Sequence, residues 1–328
     1  MKTKNGLELA KNCLEFVIDS KNLNFKDLNL KIKNILKNQT IEYGKFQPEK
    51  ENPPGSEEKA QLLTNKIDLI IILKNVLGQR YIGDGIKARA KIKIYGIPGN
   101  DLAAFMDGPE IEVFGNCQDG IGNTMNSGTI IIHGDCGDIV GYSMRGGEIY
   151  IKGNVGYRSG IHMKSYIEKI PVIIIGGKAG NFLGEYMAGG IIIVLGLENI
   201  NIRNNISNQN TKNREDIKED INKKNNMNTK EFIGFPISLS KTIVGDYVGA
   251  GMHGGIIYIR GEIEDYKLGR EVKKAKIDNK DKEILNKYIN NFCSYFGINI
   301  SEILNSDYKD FVKLIPYSHR PYGKLYAY

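Results

Sequence analysis

The chain has 328 residues, of which 41% are hydrophobic and 25% charged, with a formal net charge of +7. That balance excludes a wholly disordered chain, and the longest apolar runs, residues 67–73 and 191–195, are strand-sized against the ~20 residues a membrane span needs. Lysines are dispersed among Asp and Glu rather than clustered with aromatics, which argues against nucleic-acid binding.

The N-terminal stretch carries Lys2, Lys4 and Glu8 with no apolar core, so no export signal is expected. Cys13, Cys117, Cys136 and Cys293 form no CxxC pair, which fits a reducing, cytoplasmic setting. Residues 1–66 do not repeat and read as an α/β cap with a loop. Within it, residues 27–36 predict a short helix with Leu28, Ile32, Ile35 and Leu36 on one side. Residues 47–56, with Pro48, Pro53, Pro54 and Gly55, read as loop, and the apolar run at 67–73 opens a sheet.

From there glycine organises the chain, at 38 of 328 residues against a usual ~7%. Residues 115–133 (GNCQDGIGNTMNSGTIIIH) and 134–152 (GDCGDIVGYSMRGGEIYIK) are 19-residue blocks that align without a gap. Residues 96–114 and 177–195 fit the same frame, and residues 153–176 fit it with five extra residues near 166–170. A sixth copy spans 242–260, and a weaker one runs from about 75 to 95. Six of the eight methionines (Met106, Met125, Met144, Met163, Met187 and Met252) fall at the eleventh position of their blocks. A fixed period of about 20 residues is the signature of a solenoid.

Each block ends in a short alternating strand: Ile111/Val113, Ile130/Ile132, Ile149/Ile151, Ile173/Ile175, Ile192/Val194, Ile257/Ile259. The rest of each block is too rich in glycine for helix and lacks leucine ladders. The prediction is an all-β core: a single-stranded parallel β-helix of about seven coils of ~19 residues over 67–261, right-handed by the general rule for parallel crossovers. Gly122, Gly141, Gly160, Gly184 and Gly249, at the eighth position, are expected at sharp corners, with Ala103 as the exception in that column. The methionines are expected to form an interior ladder, and Cys117 and Cys136, at the third position of adjacent coils, to stack as reduced thiols.

Residues 197–240 interrupt the solenoid with an Asn/Lys-rich, low-complexity insertion that is read as mobile and must leave and return at one corner. After Gly261 the period turns helical. Residues 281–296 place Leu285, Tyr288, Ile289, Phe292, Tyr295 and Phe296 on one face, and residues 301–315 predict a second helix. The region 262–328 is thus a helical C-terminal extension ending in a Tyr-rich tail, SHRPYGKLYAY, and the helical flanks are natural solenoid caps.

No catalytic constellation emerges. The glycine-rich blocks have no GxxxxGK[ST], and no GxGxxG opens a helix. Ser143 lies in a segment that lacks the last glycine of a GxSxG elbow. Ser159 and His162 read as a surface corner, His162 and His253 make no ligand set, and Glu148, Glu185 and Asp246 read as solvated rims. No catalytic, cofactor-binding or metal residue is assigned.

The runs GDCGDIVGYSMRGGEIYIKGNVG (134–156), GEYMAGGIIIVLG (184–196) and GAGMHGGIIYIRG (249–261) resemble the GXGXG domain of glutamate synthase, the C-terminal β-helix of its large subunit. The β-helical subunit of formylmethanofuran dehydrogenase represents a sister family with the same motif. The block GIHMKSYIEKIPVIIIGG and the ending RPYGKLYAY incline toward the glutamate synthase branch. With no catalytic cysteine after Met1 and no Fe–S cysteine cluster, the chain is similar to split, archaeal-type glutamate synthases. The resemblance implies a right-handed β-helix and a non-catalytic scaffold subunit. It also implies that FMN and Fe–S are carried by a partner chain and that a separate glutaminase chain, or else the other formylmethanofuran dehydrogenase subunits, completes the complex. Neither nucleic acid nor membrane is among the implied partners.

Overall fold

A computed structural model describes residues 13–44, 68–198, 238–239, 243–304 and 308–317. The 47–56 loop, the interior of the 197–240 insertion and the tail from residue 318 lie outside the described residues.

The repeat folds as a parallel β-solenoid of about six turns. Its strands are β1 (Cys13–Asp19), β2 (Asp68–Leu77), β3 (Lys91–Ile97), β4 (Asp107–Phe114), β5 (Ser127–Ile132), β6 (Glu148–Ile151), β7 (Val172–Ile175), β8 (Ala188–Val194) and β11 (Gly254–Arg260), stacked in that order and pairing parallel throughout. Two short strands, β9 (Leu197–Glu198) and β10 (Ser238–Leu239), pair antiparallel, so the segment between them leaves and returns at one corner.

The register is the one the isoleucine spacing predicts. Ile92, Ile111, Ile130, Ile149, Ile173, Ile192 and Ile257 pair rung to rung, and Ile94, Val113, Ile132, Ile151, Ile175, Val194 and Ile259 form the second ladder. All fourteen are fully buried. A one-residue slip would turn both ladders outward, so burial locks the register.

The turns stack by the same logic. Asn116 Oδ1 accepts the Asp135 N–H (3.0 Å), Asp135 Oδ1 the Asn154 N–H (2.7 Å), and Asn154 Oδ1 the Lys178 N–H (2.9 Å). Column five does likewise, from Asp119 to Asp138 (2.9 Å) and from Asp138 to Tyr157 (2.8 Å). Asx side chains beside glycine thus satisfy the backbone donors of the next coil.

The ends are closed by the flanks. Helix α1 (Phe25–Gly44), longer than the predicted 27–36, places Leu28, Ile32 and Leu36 in the interior core at the β1 end. Helix α2 (Asn279–Phe296) covers the outer face of β5–β11 and makes a second core of Ile131, Tyr150, Ile174, Ile193 and Tyr258 against Leu285, Ile289 and Phe292. The predicted apolar face of α2 is the buried one. Its start is a capping box between Asp278 and Asp281, and its end is Gly297 at φ 64.

The predicted second helix at 301–315 is corrected. Among the described residues there, a 3-10 turn, Ile300–Glu302, forms and is followed by strand β13 (Phe311–Pro316). β13 pairs antiparallel with β11, opposing Ile257 to Leu314, and with β12 (Val272–Ala275) on its other side. The edge of β11 needs backbone partners, and this demand outweighs the local 3.6-residue spacing of Phe311, Leu314 and Ile315.

A buried polar clamp joins these parts. Asp281, 2% exposed, accepts hydrogen bonds from Tyr258 Oη of β11 (2.6 Å), Lys313 Nζ of β13 (2.7 Å) and the Asp278 backbone N–H (2.7 Å). Burial alone would raise the carboxyl. The Asp278 N–H, Lys313 and Tyr258 outweigh it and hold the carboxyl below its ordinary 3.8. Burial, with the Asp281 hydrogen bond next, pushes the Tyr258 phenol up.

Two outcomes follow for stability. Gly184 sits at φ 69, where a Cβ would lie 2.7 Å from Ile257 Cδ1. Gly184→Val should therefore cost about 3 kcal/mol or more in denaturant unfolding, and a loss under about 1 kcal/mol would refute a tight interior corner. Because its folded pKa is depressed, Asp281 contributes stability that is full above the unfolded pKa and lost as pH falls through 3.8 toward the folded value. Asp281→Asn should cost about 3 kcal/mol at neutral pH and flatten the acid limb of stability against pH. An unchanged limb would show that another carboxylate governs it.

Candidate functional site

The structure places the repeat's marker residues inside. Met106, Met125, Met144, Met163, Met187 and Met252 are all at or below 1% exposure in the interior cluster. Gly122, Gly141, Gly160, Gly184 and Gly249 donate their N–H groups to Leu102, Ile121, Val140, Ser159 and Leu183 of the preceding coil, at 2.7–2.9 Å. Cys117 and Cys136 form a parallel bridge and are buried and free. Burial pushes the Cys136 thiol well up, and a hydrogen bond with Cys117 adds to this, which makes it a poor nucleophile at neutral pH.

The residues weighed for catalysis do not converge. Ser159 is not on a surface corner: it is fully buried, and its hydroxyl reaches only the Gly156 carbonyl at 3.5 Å. Its column neighbours, Val140 and Leu183, show why, since this position points into the core. His162 lies outside, at φ 55, with its ring stacked on Tyr186 at 5.3 Å. Glu185 is not a solvated rim either. It is 5% exposed and meets Arg158 Nε at 2.7 Å in a close ion pair without hydrogen-bond alignment. Glu148 accepts the Tyr150 hydroxyl at 2.5 Å, Asp246 is exposed, and His253 Nδ1 lies 3.2 Å from the Gly251 carbonyl. Ser143 is half-buried at φ 52.

The structure also brings together two groupings that the reading of the sequence did not assemble. The first is a polar cluster on the outer sheet face beside the end of α2. Lys91 Nζ lies 2.6 Å from Glu110 and 3.3 Å from Glu112, and His133 Nε2 lies 3.1 Å from Glu112 Oε1. Burial would raise Glu112, but the His133 hydrogen bond and the Lys91 charge hold it below the usual range. Tyr95, Phe114 and His133 stack at 4.6 and 4.8 Å, and Phe296 of α2 closes the row edge-on at 5.3 Å. The register signal was available, since residues 95, 114 and 133 are 19 apart. That Phe296 meets them was not.

The second grouping lies on the turn side, opposite no other described element. Tyr157, Phe182 and Tyr247 form one aromatic column (5.5 and 4.8 Å between rings), and Tyr142, His162 and Tyr186 form another (6.0 and 5.3 Å). Arg158 lies over Tyr157 at 4.8 Å and over Phe182 at 5.4 Å. This arrangement can stack on and hydrogen-bond to a surface. No nucleophile and base are paired in it.

Among the described residues no group of three or more His, Cys, Asp and Glu is placed to hold a metal ion, and no helix is long and apolar enough to cross a membrane.

The GXGXG motif family matches residues 65–317, so the match runs beyond the last repeat block through α2 and β13. An uncharacterized protein of Methanocaldococcus jannaschii is 45% identical over 317 residues, covering 95% of this chain and 97% of its own length. The repeated coil, its glycine corner and the extent of these matches agree: the chain belongs to the GXGXG motif family, that of the C-terminal domain of the glutamate synthase alpha chain.

Proposed function

We propose that the chain is a non-catalytic structural subunit of a split, cytoplasmic glutamate synthase, serving glutamate biosynthesis. The observation that carries this reading is the family match over residues 65–317. It is supported by polar side chains that bond coil to coil or clamp the flanks rather than converge on a reacting atom. In this reading FMN and the Fe–S clusters reside on one partner chain and the glutaminase on another.

A solenoid suits such a role for a physical reason. Every coil adds one strand spacing, ~4.8 Å, so about six turns set a separation of about 30 Å that hydrogen bonds and buried isoleucine ladders hold fixed. Partner chains gripping different coils are held at constant distance, which a flexible linker cannot do.

The test is native purification of the tagged chain from its own cells, with co-purifying chains identified and the eluate scanned for flavin, Fe–S, tungsten and molybdenum. Flavin and Fe–S absorbance with a glutaminase-like chain is expected. Glutamine-dependent glutamate formation should be lost on removing this chain and restored on adding it back. A molybdopterin protein with tungsten or molybdenum would assign the chain to a formylmethanofuran dehydrogenase-like complex instead. A colourless single chain would refute both.

A further inference from the structure

The turn side of the solenoid carries side chains that the fold does not ask for. Columns six and ten of the repeat adopt positive φ, and glycine serves there in two coils, Gly120 (φ 73) and Gly251 (φ 67). Asp101, Phe105, Thr124, Ile139 and Ser143 hold these columns in other coils, also at positive φ, and Arg158, His162, Phe182, Tyr186 and Tyr247 hold them at φ 54, 55, 60, 53 and 62. The fold therefore sets the backbone in these columns but does not require rings there, and because bulky residues are disfavoured at positive φ, their choice points to a use outside the fold. These rings are not fully buried in return, since Tyr186 and Tyr247 are 43% and 53% exposed and Phe182 is half-buried, with Tyr157 of column five 38% exposed beside them. A contiguous face of Tyr, Phe, His and Arg with acids and lysines only at its margins has the composition of a protein–protein interface core.

The margins identify the occupant. Column five, on one border, carries Asp138 and Asp246, while column twelve, on the other, carries Arg145 and Lys164, and all four are exposed. Arg145 and Lys164 have no ion-pair partner among the described residues. Two copies placed face to face about a two-fold axis parallel to the solenoid axis bring each coil against the same coil of its mate. Column five of one copy then faces column twelve of the other. Asp138 and Arg145 belong to the same coil, so each meets its opposite across the axis, twice. Lys164 meets the ring of Tyr157 in the same way. The other two-fold, perpendicular to the solenoid axis in the interface plane, would set acid against acid. The face is therefore complementary to itself in one orientation, which is what an isologous interface requires.

The geometry points to a parallel homodimer of this chain, formed through the aromatic–arginine face of columns five to twelve and keyed by Asp138 against Arg145. The dimer is independent of which enzyme the chain serves. It gives the scaffold two-fold symmetry and leaves the sheet side free for other chains.

The experiment is sedimentation velocity and light scattering on the purified full-length chain, with three variants and thermal melts of each. The wild-type chain is expected to be a dimer that weakens as salt rises. The double variant Tyr186→Gly/Tyr247→Gly should be monomeric while keeping its melting temperature, because glycine is at ease at those φ values. Arg145→Asp should raise the dissociation constant roughly tenfold or more, and adding Asp138→Arg to it should restore the dimer. A wild-type monomer at high micromolar concentration would overturn the proposal. So would a dimer indifferent to the glycine pair, or a charge swap that fails to rescue. A monomer whose face is protected from hydrogen exchange only when another protein binds would also overturn it and assign the face to that protein.

Discussion

Everything in this molecule depends on the coil-to-coil hydrogen-bond ladder, whose offset is 19 residues wherever no insertion lengthens the coil. The strands use it as an ordinary parallel sheet. The turns use it too: Gly141 donates to Ile121 of the coil before, while Ile139 and Ser143 on either side donate to Tyr157 and Ile161 of the coil after. Alternate donors point up and down, which is possible only if alternate residues turn left-handed. Glycine at column eight is the inward member of that alternation, and its missing side chain is the space that the Ile173 or Ile257 methyl of a later coil occupies.

This constraint explains how polar groups are used. Buried backbone groups must be paired, and in a solenoid the partner of each lies one coil away, at the equivalent or an adjacent position. The Asx columns therefore repeat, and an insertion such as 197–240 is tolerated only where chain can exit and re-enter at one rung, as β9 and β10 do. The ends break the rule and are handled separately. Helix α1 plugs one mouth of the core, and β13 supplies the antiparallel partner that lets β11 end the parallel stack.

The two outer faces then divide. The sheet side grows apolar from β5 onward and is covered by α2, with Asp281 tying helix, β11 and β13 into one unit. The turn side keeps its aromatic rings in solvent. An exposed aromatic face built on positive-φ positions suits contact with another surface, in keeping with the structural role proposed for the chain.

The solenoid, its register and the interior isoleucine ladders were legible in the sequence because a repeat makes long-range pairing a local quantity: residues 19 apart are neighbours. The family was legible for the same reason. The apolar face of α2 was legible from its own 3.6-residue spacing. Much of what fell outside the repeat was not. The strand at 311–316 carries a helical spacing of apolar residues and becomes β because β11 offers it an open edge. Strand β1 lies outside every block and joins the sheet only through pairing with β2. Glu185 and Ser159 read as surface residues, yet their burial is set by which way an alternating turn points each side chain. The turn-side aromatic columns mix neighbouring repeat positions, so the period by itself does not give them, their exposure or their positive φ. Periodicity thus determined the stack, since it encodes contacts between equivalent residues. The tertiary structure alone decided the contacts between non-equivalent ones, because nothing in the local pattern records what a distant segment brings to meet it.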